Sequence, residues 1–260
     1  MPADNINQPS AYTLLIYLAE QHIGTLTVDK STSLLKLEYE PDWQQTGYPL
    51  SPALTLDNTH SHEVAYNYLD NALPEGEARK LLVEHLGVSE KNVYSQVRAI
   101  GNDLAGAISF RARGQGSDNL REAREPKFRL IEQDELVEKL ARKEDIGLLA
   151  WDDKPRLSGA GVQDKLNIFI NEEGQIGFGD GTLCSTLILK FEKPNCPNLV
   201  LNEYFCMKLS KAVGLPTAEV QFTRFEQYPA LIVERFDRKY APEQSKVFRR
   251  HVIDGCQALN

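Results

Sequence analysis

Residues 185–214 read STLILKFEKPNCPNLVLNEYFCMKLSKAVG. They predict a strand, Thr186–Phe191, followed by a helix, Leu199–Val213. Alternate strand residues face opposite ways. Leu187, Leu189 and Phe191 therefore share one face, and Thr186, Ile188 and Lys190 share the other. A lysine ending such a strand either snorkels to solvent or serves a ligand. In the helix, Glu203 has apolar neighbours at Leu199, Val200, Cys206 and Met207. It is expected on the buried face, where a carboxylate without a partner costs several kcal/mol. Lys190 is the nearest candidate partner in sequence. The alternative is a first-turn glutamate satisfied by backbone N–H groups.

A strand lysine paired with a helix glutamate is how protein kinases fix a lysine on nucleotide phosphates. Two flanking stretches bear on that reading. Upstream, residues 156–170 read RLSGAGVQDKLNIFI. The small run Ser158-Gly159-Ala160-Gly161 leads through Gln163, Asp164 and Lys165 into a strand. Neither the P-loop nor the Rossmann glycine pattern matches, and a strand, not a helix, follows the glycines. The loop is either a phosphate cradle between two strands or a plain hairpin entry. Downstream, ALIVERFDRKY (230–240) carries a strand, Ala230–Val233, into Glu234-Arg235-Phe236-Asp237-Arg238. This is either a hinge that reads an adenine through backbone groups, with Phe236 stacking on the base, or a strand end with solvated charges.

The chain has 260 residues, 42% hydrophobic, enough for one large or two modest domains. Its 29 basic and 37 acidic side chains give a net charge of −8, which argues against nucleic-acid binding by bulk electrostatics. No apolar run nears the ~20 residues of a membrane span, and the N-terminus lacks the regions of a signal peptide. A cytoplasmic location with no membrane partner is expected. Cys184, Cys196, Cys206 and Cys256 form no CxxC pair and read as scattered reduced thiols.

Ahead of the core stretch, Tyr12–Leu18, Gly24–Val28 and Leu35–Glu40 read as strands of a small antiparallel sheet. Three helices follow, in EVAYNYLDNALP, in EGEARKLLVEHLG closed by Gly87, and in SEKNVYSQVRAIG with Ser89 as N-cap. LAGAISFRAR reads as a strand, residues 113–126 as a polar linker, and QDELVEKLARK as a short helix. Strands are expected at Leu166–Ile170, Glu219–Arg224 and Ala230–Arg235, with a last helix over Val247–Leu259. That apolar final stretch, HVIDGCQALN, suggests a polypeptide interrupted or completed by another chain.

In this order, these elements resemble the HipA-like toxin serine/threonine kinases over nearly the whole chain. YLDNALPEGEARKLL with IGNDLAGAISF, then LSGAGVQDKLNIFI, STLILKF, LNEYFCMKLSKAVGLPTAEV and VERFDR carry the likeness, and VERFDR is its most specific part. The resemblance implies an α+β fold: a small antiparallel-sheet subdomain with helices (1–112), a linker with a short helix (113–150), a kinase-like nucleotide-binding N-lobe (151–240) and the start of a helical lobe (241–260). It implies ATP and Mg2+ as cofactors. Ser158 becomes an autophosphorylated serine that switches the kinase off. Ala160, Gly161, Val162, Gln163, Asp164 and Lys165 line the phosphates, Lys190 contacts ATP and Glu203 positions it. Glu234 and Phe236 bind adenine at the hinge, and Arg235 belongs to the ATP-binding set. The implied partners are a small helix-turn-helix antitoxin, operator DNA through that complex, and a protein substrate such as glutamyl-tRNA synthetase.

Two departures stand against the family pattern. Only twelve residues separate Lys190 from Glu203, a short span for the family's activation-loop region. The D-x-H-x-x-N-like loop with the catalytic aspartate is absent, as is a later metal-binding aspartate; Asp254 and Asn260 are one residue too far apart and lack the histidine. The metal ligands and the all-helical catalytic lobe are therefore expected outside these residues. The leading reading is the N-terminal portion of a toxin kinase. The other is a non-catalytic half, split or pseudokinase-like, that binds nucleotide or antitoxin.

Overall fold

Two antiparallel sheets organise the chain. The computed structural model describes residues 12–29, 31–112, 125–142, 148, 150–152, 154–156, 163–193 and 195–259. The first sheet has strand order β3-β2-β1-β4, with β1 Thr13–Leu18, β2 Gln21–Val28, β3 Leu35–Tyr39 and β4 Ile108–Ala112. In β3 the alternation is clean: Leu35, Leu37 and Tyr39 are buried while Lys36 is exposed. Helices α1 Pro41–Thr46, α2 His62–Asp70, α3 Gly76–Leu86 and α4 Val93–Ile100 follow β3. α2 packs on β3 and α4, and α4 on β4, closing a core of Leu14, Ile16, Leu26, Leu69, Val97 and Phe110. Gly87 ends α3 in the left-handed region at φ 63°, as the sequence predicts. The expected Ser89 cap is displaced: Asn92 caps α4 by accepting from the Ser95 amide at 3.0 Å.

The second sheet has order β11-β12-β10-β8-β9-β5. Its strands are β5 Lys127–Leu130, β8 Lys165–Ile170, β9 Ile176–Asp180, β10 Leu187–Phe191, β11 Val220–Phe225 and β12 Tyr228–Glu234. The two-residue strands β6 Ala150–Trp151 and β7 Lys154–Pro155 pair apart from it, and α5 Gln133–Ala141 follows β5. Helix α6, Leu199–Ala212, packs on β11 and β12. Leu166, Ile168, Leu189 and Phe191 fill one side of the sheet together with Trp151.

Three sequence expectations are corrected. The boundary at residue 151 cuts a strand from its sheet, because β5 pairs with β9. Both strands were hidden by composition: β5 reads KFRL and β9 reads IGFGD. Gly177 is required there, since a Cβ would lie 2.4 Å from the Arg129 carbonyl. The last helix also fails. Residues 238–249 form a hairpin, β13 Arg238–Ala241 with β14 Lys246–Arg249, and only Gly255–Leu259 (α7) is helical. Val247 joins a small core with Phe169, Leu183 and Cys184, which holds that segment extended. The tail then crosses the first unit: Gln257 Nε2 donates to the Tyr68 carbonyl at 3.1 Å, and Ile253 packs on the first core.

A buried charge cluster joins the units. Arg235 donates to Asp237 at 3.0 and 2.8 Å and to Ser185 Oγ at 2.8 Å. Arg238 donates to Asp237 at 2.6 Å and to the carbonyls of Leu104 and Gly106 at 2.7 and 2.8 Å. The Gly106 amide and the Ser185 hydroxyl donate to Asp237 and Asp103. Thus VERFDR grips the IGNDLAG loop between α4 and β4. Burial disfavours the Asp103 and Asp237 carboxylates, but the guanidiniums beside them outweigh it and hold both below the usual carboxylate range.

Removing one partner of a buried ion cluster costs about 3–5 kcal/mol, because the remaining charges are left uncompensated. Asp237→Ala should lose that much in urea denaturation at pH 7, and a loss under about 1 kcal/mol, the worth of a surface pair, contradicts the description. Folding depresses both carboxylate pKa values, so the stability they contribute is complete above about pH 4 and is lost as pH falls through the folded-state values. Asp237→Ala should weaken that acid dependence.

Candidate nucleotide site

β10 and α6 set the centre of the site. Leu187, Leu189 and Phe191 face the core with Trp151, while Ile188 packs on the other face against Val200, Leu231 and Val233, as the alternation predicts. Lys190 shares the Ile188 face and pairs with Glu203 of α6. The two side chains are 23% and 24% exposed, so the pair is neither dry nor freely solvated. The first-turn alternative for Glu203 is excluded, because Glu192 takes that role: its carboxylate accepts from the Leu199 and Val200 amides at 2.9 and 3.2 Å. The strip of α6 that meets the sheet is Val200, Tyr204 and Met207, with Glu203 at its edge. Cys206, expected on the buried face, is exposed.

Lys165 opens β8 directly across the ladder from Lys190. Burial and the Lys190 ammonium push its pKa down to about 8, against the opposing pull of Glu75 and Glu203. The residues before it close onto the end of β10: Gln163 Nε2 donates to the Phe191 carbonyl at 3.1 Å, and the Phe191 amide donates to the Asp164 carbonyl at 3.0 Å. Ser158, Ala160, Gly161 and Val162 lie outside the described residues. So Gln163, Asp164, Lys165, Lys190 and Glu203 are brought together at one end of the β8–β10 pair. Among the described residues, no three His, Cys, Asp or Glu side chains cluster as a metal site requires.

The proposed hinge is divided. Glu234 ends β12 with its amide donating to the Glu219 carbonyl at 2.9 Å. Phe236 is 71% exposed, with its ring available for stacking. The Arg235 guanidinium points away, into the Asp103–Asp237 cluster. Its amide, donating to Thr186 O at 3.0 Å, is what ties the hinge to β10. Sequence reading missed Glu192, because the cap comes from outside the helix, and it missed Asp103 and Ser185, which lie 135 and 50 residues from the arginines Arg238 and Arg235 that bond to them.

Residues 14–111 match the family model for the HipA N-terminal domain, and residues 157–260 match the HipA-like C-terminal domain. The chain belongs to the HipA family. It is 42% identical over 247 residues to the serine/threonine-protein kinase toxin HipA of Shewanella oneidensis, covering 95% of this chain and 55% of that protein. It is 29% identical over 240 residues to the putative kinase Y4mE of Sinorhizobium fredii, covering 91% and 56%. A solved complex of Shewanella oneidensis HipA with HipB and its operator DNA superposes with a TM-score of 0.79, at 42% identity over 95% of this chain and 56% of the matched one. The chain thus spans about half the length of these relatives. No described helix is long and apolar enough to cross a membrane.

Helix α6 places Glu203, so its start matters. Loss of an N-terminal cap costs about 1 kcal/mol. Glu192→Ala should lose that amount and speed hydrogen exchange at the Leu199 and Val200 amides; unchanged exchange there rules out the cap.

Proposed function

We propose that these residues form the nucleotide-holding part of a HipA-type serine/threonine kinase toxin, with the six-stranded sheet and α6 as the kinase-like N-lobe. The observation that carries the reading is the Lys190–Glu203 pair between β10 and α6. It fixes an ammonium beside Lys165, and two adjacent ammoniums in a half-desolvated site suit a polyphosphate. Lys190 and Lys165 hold the ATP phosphates, with Gln163, Asp164 and the loop residues Ala160, Gly161 and Val162 closing over them. The backbone of Glu234–Phe236 reads the adenine, and the Phe236 ring stacks on it. Bound Mg2+ neutralises phosphate charge; its ligands belong to the part of the relatives that this chain does not span.

In a kinase that joins these residues to a catalytic lobe, Ser158 takes a phosphate in its own kinase reaction. That phosphate brings about −1.5 to −2 charges and competes for the donors that hold ATP. The partners proposed on the family likeness are a HipB-like antitoxin, operator DNA through it, and an aminoacyl-tRNA synthetase, glutamyl-tRNA synthetase above all, as substrate.

Residues 1–260 are expected to bind Mg-ATP in calorimetry without transferring phosphate, and Lys190→Ala should abolish that binding. Turnover by the isolated chain, or binding indifferent to Lys190, refutes the reading. Phosphates favour the charged Lys165, so affinity should fall as pH rises through about 8. In a kinase that joins these residues to a catalytic lobe, Ser158→Ala should stay active after incubation with ATP.

A further inference from the structure

The turn between β2 and β3, helix α2 and the start of α4 line a groove of about 700 Å3 in the first unit. It shares no lining residue with the site around Lys190. Its volume falls in the range of ~300–1,000 Å3 usual for small-molecule sites. Lys91 and Arg98 line it, both are exposed, and neither forms an ion pair among the described residues. Asp29 is the acidic residue on the wall, and its Oδ1 is taken by its own turn. It accepts from the Ser31 amide and hydroxyl at 2.8 and 2.6 Å and from the Thr32 amide at 2.8 Å. In a chain of net charge −8, the groove thus carries more positive than negative charge.

Hydrogen-bond donors line the same space. Helix geometry leaves the Val93 and Tyr94 amides at the start of α4 without intrahelical acceptors, and Asn92 Oδ1 already serves the Ser95 amide at 3.0 Å. His62, on the α2 wall, accepts from the Leu35 amide at Nδ1 at 2.8 Å, so its ring carries a hydrogen on Nε2 and remains a donor. Tyr94 lines the groove, is only 7% exposed, and its hydroxyl has no hydrogen-bond partner. A buried tyrosine hydroxyl ordinarily has one. Rings are present too: Tyr66 meets His62 with centroids 5.8 Å apart, and Tyr12 is 43% exposed.

We propose that this groove is a second ligand site, one that takes a phosphate monoester of nucleotide size. The phosphate sits at the start of α4, where the Val93 and Tyr94 amides and the helix dipole favour an anion. Arg98 follows Tyr94 by one turn, and helical side chains lean toward the N-terminus, so its guanidinium serves the same anion as Lys91. The planar ring of the ester fills the remaining volume against the tyrosines. The Tyr94 hydroxyl gains its missing acceptor from the ligand. The site stands whether or not the sheet around Lys190 holds ATP.

Amide chemical shifts of nitrogen-15-labelled residues 1–260, titrated with AMP, read the site locally. AMP should move the Val93, Tyr94 and Ser95 amides saturably, in wild type and in Lys190→Ala alike. Arg98→Gln should weaken that binding at least about tenfold, the worth of one charge-assisted hydrogen bond, and Lys91→Gln should weaken it as well. Both residues are exposed, so neither change threatens the fold. Adenosine and inorganic phosphate, each offering only part of the ligand, should bind more weakly than AMP. Unmoved amides, equal binding by Arg98→Gln, or adenosine or phosphate binding as well as AMP overturns the proposal. Loss of the shifts in Lys190→Ala assigns them to the other site and overturns it too. A chain that takes no Mg-ATP at Lys190 refutes only the reading of that site.

Discussion

The cluster of buried Arg235, Arg238 and Asp237 with the partly buried Asp103 is the constraint on which the arrangement depends. Two positive and two negative groups meet where the loop between α4 and β4 crosses the end of β12. The Arg238 side chain is fully buried, so its charge is tolerable only while both carboxylates and the Leu104 and Gly106 carbonyls stay in place. The two largest hydrophobic cores remain separate, and this polar seam ties one to the other.

The same segment serves two purposes. Within VERFDR, alternate side chains part company: Arg235 and Asp237 turn into the seam, while Glu234 and Phe236 stay at the surface beside β10. This anchoring holds the backbone of residues 234–236 still, as the proposed base-reading role requires. On the same sheet, Glu192 caps α6 and Glu203 on that helix holds Lys190, so one short connection sets both ends of the ammonium's support.

Periodicity made much of this legible. The two-residue repeat in LILKF placed Lys190 correctly, and the apolar spacing of LVLNEYFCM drew attention to Glu203. Gly87 announced a left-handed cap. What stayed hidden was whatever depended on distant partners. KFRL and IGFGD carry too much charge and glycine to read as strands until they pair. Val247 is extended because Phe169 and Leu183 wait for it, although its own segment has a helical pattern. From sequence Arg235 groups with the ligand residues, since nothing local reveals an aspartate 132 positions upstream. The family likeness supplied the order of the elements, and the geometry showed which side chains meet.

One measurement bears most directly on the claim that the polar seam makes the two units a single cooperative fold. Trp43 lies in the first core and Trp151 in the second, and the chain has no other tryptophan. Urea unfolding of the Trp43→Phe and Trp151→Phe variants reports each unit by fluorescence. Coincident transitions that separate when Asp103→Ala is added are the predicted result. Transitions already separate with the seam intact contradict the account.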